Sequence, residues 1–166
     1  MPSPASVPRQ QTSRHLYVAL ETQRTDPCVQ RIQATDLRRA TAVHDELSDP
    51  AAGIVAVLDV EFLIASSART ARQEYRRRGL DDVTARTVQY VGTPTGLAGL
   101  IADIGAAGVA DGVVLVALDD SASTELFSST TLPHLLRLGI VDTENASVVG
   151  AEARSSAREC VAHGGS

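Results

Sequence analysis

Asp59 and Glu61 stand two residues apart inside an otherwise apolar run, Ile54 to Ala65 (IVAVLDVEFLIA). In a strand, residues two apart share a face, so both carboxylates point the same way, opposite Val60 and Phe62. Carboxylates in a dry pocket hold their protons more tightly and suit a general base or a group that orients a substrate. The same two side chains can instead meet a nearby Arg or face solvent on the open side of a sheet. A second candidate is Thr22, Gln23 and Arg24, which follow the β-rich run His15 to Leu20. Ligands bind at the C-terminal ends of strands in parallel α/β folds, so these three would contact an anion there, or else form a plain surface loop. Gly92-Thr93-Pro94 reads as a helix start, with a phosphate contact as the alternative. Ser128-Ser129-Thr130-Thr131 is rich in hydroxyls, but no His or acid is positioned by sequence to activate them. His44 and His134 each fall on a predicted helix as partners of local groups.

Other chemistries find little support. The four His residues show no HxxxH or HExxH spacing, and Cys28 and Cys160 form no CxxC, so no metal site is expected. Two distant cysteines fit a reducing cytosol better than a disulfide scaffold. A net charge of −5 with dispersed basic residues argues against a nucleic-acid footprint. The one dense basic cluster, Arg76-Arg77-Arg78, sits where a helix ends and suits dipole compensation and solvation better than a phosphate site. No apolar run reaches the roughly 20 residues of a membrane span, and Met1 to Ser13 lacks the apolar core of a signal peptide. The expected location is the cytoplasm.

The elements that must position these residues are legible around Tyr90 to Leu118. Thr93 is a good N-cap, Pro94 fits the first helical position, and Leu97, Leu100, Ile101 and Ile104 recur on one helical face. Gly105 or Gly108 supplies the left-handed residue that ends this helix. Val113 to Leu118 is apolar without alternation, as in a parallel strand covered on both faces. Upstream, residues 1–14 form a Pro- and Ser-rich leader, His15 to Leu20 a first strand and Val29 to Gln33 a short second one. Thr35 then caps a helix through Leu47 whose inner face is Leu37, Ala40, Val43 and Leu47, with Asp36 near its positive end. Gly53 opens the long central strand, a helix spans Ser67 to Arg78 with Gly79 as its stop, and residues 80–89 form a loop with a helical turn. Ser123 caps a further helix, Pro133 kinks or restarts it, and Gly139 ends it. Residues 142–166 lack periodicity and read as a flexible tail. The order of elements gives an α/β domain over residues 15–141 with a mainly parallel sheet.

The ordered series Leu58 to Leu63, Gly92-Thr93-Pro94, Ala107-Gly108, Asp111-Gly112-Val113 and Leu132-Pro133 to Gly139 resembles the C-terminal portion of the bacterial luciferase-like flavin-dependent monooxygenases, in the nitrilotriacetate monooxygenase branch. The resemblance implies part of a (β/α)8 barrel with outer helices, and an oxidoreductase using FMN or F420 with oxygen on a small organic substrate. A whole barrel needs about 250 residues, more than the 166 present, and the resemblance corresponds to about the last third of one. The family places a small-residue loop and a helix N-terminus for the flavin phosphate after the strand matching His15 to Leu20. Here that connection is Glu21 to Pro27, with no Gly. The resemblance therefore implies a homo-oligomer or a second chain completing the barrel. The alternative is a non-catalytic barrel remnant or interaction module.

Overall fold

The structure, a computed structural model, describes residues 15–21, 29–48, 53–119, 121–142 and 146–147. Six strands form one sheet: β1 (Tyr17–Leu20), β2 (Val29–Ile32), β3 (Val55–Ile64), β4 (Val88–Gly92), β5 (Gly112–Ala117) and β6 (Ala146–Ser147). Every pairing is parallel, and the order is β2-β3-β5-β1-β6 with β4 also on β3. This is the partial α/β barrel architecture expected from the sequence, here as an open sheet.

β3 is the organising strand because it pairs along both edges. β5 runs beside Val57 to Phe62, so β2 and β4 must share the other edge. Val55 to Leu58 take β2 there, and Val60 to Ile64 take β4. The seam between the two partners falls at Asp59. Its backbone carbonyl accepts a hydrogen bond from the Thr87 hydroxyl, which stands in for a ladder partner just where none is supplied by a strand.

The helices are α1 (Leu37–Leu47), α2 (Ala68–Arg77), α3 (Pro94–Ala106), α4 (Ala122–Leu126) and α5 (Leu132–Arg137). One face of the sheet, carrying Leu58, Val60, Phe62 and Ile64 of β3, packs against α1, α3 and the α4–α5 segment in the main core. Phe62 meets Phe127 edge-on, with ring centroids 6.2 Å apart. The opposite face carries a smaller cluster, Ala19, Val57 and Val114. α2 lies on that second face, since the Tyr75 hydroxyl donates to Gln89 Oε1, and Gln89 is in register with Glu61. The reason is chirality. The step from β3 back to β4 runs opposite to the steps from β2 to β3 and from β4 to β5, so a right-handed crossover puts its helix on the other side. Not every helix is therefore an outer one.

Local chemistry explains the boundaries. Thr93 caps α3 by accepting from Gly96 N, Ser67 caps α2 by accepting from Thr70 N, and Gly108, with φ 65°, ends α3. The cap of α1 is Asp36, which accepts from Arg39 N at 2.8 Å, and not Thr35. A carboxylate there also meets the positive end of the helix. Ser123 is likewise inside α4 and not its cap: the Asp119 carboxylate accepts from Ser123 N, while Ser123 Oγ accepts from Ile64 N. The hydroxyl-rich stretch is the π-helical turn Phe127–Thr131, in which Ser128 and Ser129 bond back to the carbonyls of Thr124 and Glu125. β4 was not expected, because residues 80–89 read as loop; only its 3-10 turn, Leu80–Asp82, matches. Beyond Asp142, in the stretch read as tail, Ala146–Ser147 pair with β1. Among the described residues no helix is long and apolar enough to cross a membrane.

Candidate functional site

The second face of the sheet gathers polar side chains from four strands or their ends. Asp59 and Glu61 share it, as their spacing requires. Arg31 and Gln33 reach it from β2 and the residue after it, Gln89 from β4, and Glu21 from the end of β1. Beneath them Ala19, Val57 and Val114 form a small apolar floor.

Asp59 is 1% exposed. A carboxylate buried to that degree must be hydrogen-bonded and paired, and Arg31 does both: its Nε donates to Oδ1 at 2.7 Å and its terminal nitrogen donates to Oδ2 at 2.9 Å. Gln33 Nε2 adds a third hydrogen bond at 3.1 Å. The same terminal nitrogen of Arg31 also donates to Glu21 Oε1 at 3.1 Å. The hydrogen bond to Asp59 holds the Arg31 guanidinium above its ordinary proton affinity, against the opposing effect of burial. Bidentate guanidinium–carboxylate pairing fixes both planes, so this pair is an oriented unit that ties β2 to β3 beside the seam.

Glu61 is less enclosed. Its Oε2 accepts from Gln89 Nε2 at 2.6 Å, and Gln89 Oε1 accepts from the Tyr75 hydroxyl at 2.9 Å. The chain Tyr75–Gln89–Glu61 fixes one carboxylate oxygen and joins α2, β4 and β3. Glu61 meets no cation among the described residues, which distinguishes it from Asp59.

Thr22, Gln23 and Arg24 lie outside the described residues. Glu21 immediately before them donates its backbone N–H to Leu115 O at 3.0 Å, so the connection leaves from the C-terminal end of β1. Of the remaining candidates, Thr93 acts as a helix cap and His134 Nδ1 lies 3.2 Å from an Arg137 nitrogen. His44 lies away from the site, with Nε2 3.4 Å from Asp111 Oδ1. Glu74 takes Arg77 and Arg78 of the basic cluster. Among the described residues, no group of three or more His, Cys, Asp or Glu side chains is arranged to hold a metal ion.

Sequence reasoning missed Arg31, Gln33, Gln89 and Tyr75. The alternation Val29, Arg31, Gln33 carried a signal, because a strand puts those three on one face. Which strand Arg31 would meet depended on pairing with a segment 28 residues away.

A flavin needs a broad apolar slot and donors for its phosphate. The described residues of this face give a narrow apolar floor, two carboxylates and a guanidinium already engaged by Asp59 and Glu21. Alone, they do not form a phosphate cradle.

No protein-family model matches the chain, and no curated protein matches it. Solved structures do. Riboflavin lyase RcaE, solved with modified FMN and substrate riboflavin, shares 15% identity with a TM-score of 0.55, covering 69% of this chain and 39% of that one. DmoA from Hyphomicrobium sulfonivorans gives 12% identity and a TM-score of 0.57 over 69% and 38% of the two chains. EDTA monooxygenase EmoA from Chelativorans sp. BNC1 gives 15% and 0.56 over 69% and 40%. At these identities the likeness is one of fold alone. The chain spans about two fifths of the length of the structures it matches.

Proposed function

We propose that this chain is an arc of a luciferase-like flavin-dependent oxidoreductase of the monooxygenase type, acting on a small organic substrate once a second copy or another chain completes its barrel. The observation that supports this most directly is the parallel arc β2-β3-β5-β1, which carries a cluster of Arg31, Asp59 and Glu61 on one face and shares its fold with part of an enzyme solved with modified FMN. In this reading Glu61, held on one oxygen by Gln89, orients the substrate or accepts its proton. Asp59 fixes Arg31 and thereby the wall of the pocket. Thr22, Gln23 and Arg24, which follow β1 in the sequence, would contact the phosphate of FMN or F420. The flavin would supply the redox chemistry; the residues of this chain supply orientation and a proton acceptor.

A second reading is a non-catalytic module that retained the packing of the arc. It is favoured by the Asp59 carboxylate, whose three hydrogen bonds to Arg31 and Gln33 satisfy it without a ligand. Titration of the purified chain with FMN and with F420, followed by cofactor fluorescence, separates the two. The enzyme reading expects saturable quenching by at least one cofactor, weakened by substitution of Arg24. No quenching at high micromolar cofactor would exclude an enzyme built from this chain alone, leaving the packing module or a barrel completed by a different chain.

A further inference from the structure

Five arginines lie between Arg69 and Arg78, on and just beyond α2, and they fall into two groups. Glu74 binds two of them. Arg77 donates to both its oxygens, at 2.8 and 2.6 Å, and Arg78 Nε donates to Oε1 at 2.6 Å. Arg69, Arg72 and Arg76 have no carboxylate partner among the described residues. Together with Gln73 they take the i, i+3, i+4, i+7 positions of one helical stripe, and these four side chains line a surface concavity of about 340 Å³. The stripe faces away from the sheet, because Ala71 is buried and Tyr75 is tied to Gln89 on the other side of the helix. It is therefore separate from the Asp59–Glu61 face.

We propose that this stripe binds a small ligand carrying two or more linked phosphate groups. The backbone from Arg69 to Arg76 rises roughly 10 Å, so the three arginines present more donors along the stripe than one phosphate can use, and a di- or triphosphate engages more of them. The guanidinium fork matches phosphate oxygens in bidentate pairs. Glu74 holds Arg77 and Arg78 and offsets one of their two charges, so the row of Arg69, Arg72 and Arg76 carries most of the uncompensated positive charge of this segment. The ligand is small for two reasons. The concavity lies at the low end of the roughly 300–1,000 Å³ of small-molecule sites. The chain as a whole carries −5, so an extended polyanion meets repulsion beyond the stripe, whereas a short one feels mainly charges within a Debye length of about 8–10 Å.

The test is calorimetric titration of the full chain with inorganic pyrophosphate and tripolyphosphate at low salt. The expected result is saturable binding that weakens as salt rises, tripolyphosphate binding more tightly than pyrophosphate. The combined variant R69Q/R72Q/R76Q should lose at least about tenfold in affinity, with circular dichroism confirming that its fold is retained. R77Q, which alters an arginine already held by Glu74, should stay within about twofold of the parent. Equal affinity of the parent and the triple variant, or no binding at millimolar tripolyphosphate, would overturn the proposal. Tighter binding of a single-stranded oligonucleotide than of tripolyphosphate would also overturn it, in favour of a nucleic-acid surface.

Discussion

Removing Arg31 would strand the Asp59 carboxylate at the seam of the sheet with only Gln33 to hold it. Breaking a buried pair by deleting one partner costs about 3–5 kcal/mol when both are enclosed. Arg31 is about one third exposed, so solvent screens part of that loss. Arg31→Ala should therefore destabilise the fold by about 2–3 kcal/mol. Arg31→Lys, which keeps the charge but lacks the fork, should fall between it and the parent. Urea unfolding checks both, and an Arg31→Ala midpoint equal to the parent's would show the pair to be idle. Acid should act on the Glu74 pairs of α2. Hydrogen bonds from Arg77, then Arg78, hold the Glu74 carboxyl down from 4.5 to about 2. Its pairing therefore stabilises fully above pH 4.5 and is lost as pH falls toward about 2. Carboxyl NMR titration should find Glu74 still ionised at pH 3.5, roughly one unit below the ordinary value. That Asp59 and Glu61 share a face was legible from their spacing alone. Their different partners were not, since an arginine on β2 and a glutamine on β4 reach them only through non-local register.

Between elements, β5 approaches β1 backbone to backbone at Gly112. A Cβ at Gly112 would collide with the carbonyl oxygen of Tyr17, its register partner, and backbone cannot step aside as a side chain can. Gly112→Ala should thus part the two strands, with loss of stability of about 2 kcal/mol or more, of the order seen for overpacking. Gly96 offers a contrast. A Cβ there meets the Tyr90 hydroxyl, which bonds to the backbone of Thr93 at the start of α3. Gly96→Ala should destabilise the parent chain. In a Tyr90→Phe background it should become neutral or mildly stabilising, because Ala gains about 1 kcal/mol over Gly in a helix. Thermal melts of the two single variants and the double variant measure that coupling, and equal effects of Gly96→Ala in both backgrounds would contradict it. The start of α3 was readable because Thr93 and Pro94 act locally. β4, just before it, was hidden: Val88 to Gly92 is a short edge strand with half-buried side chains, and its reason for being extended is β3. The cap of α1 was misplaced by one residue because Thr35 and Asp36 are both good caps, and only backbone geometry decides between them.

For the whole molecule, the parallel α/β class followed from the alternation of helical and strand patterns, and the run Ile54 to Ala65 was correctly the central strand. Strand order was less accessible. β3 and β5 are direct neighbours although β4 lies between them in the chain, and β1 pairs with β5, the last long strand, in the interior of an open sheet. No local pattern encodes such a step back across the sheet. Its consequence is an edge where β2 and β4 have β3 as their only partner among the described strands. Unpaired edges of that kind recruit further strands. Sedimentation of the chain with FMN or F420 present tests the central claim, that this is one arc of a flavin-dependent barrel completed by another chain. The account predicts, for the chain or for its mixture with a completing chain, a species of at least twice 17.4 kDa that carries the cofactor's absorbance with it. A stable monomer that leaves the cofactor behind, alone and with every candidate partner, would contradict it.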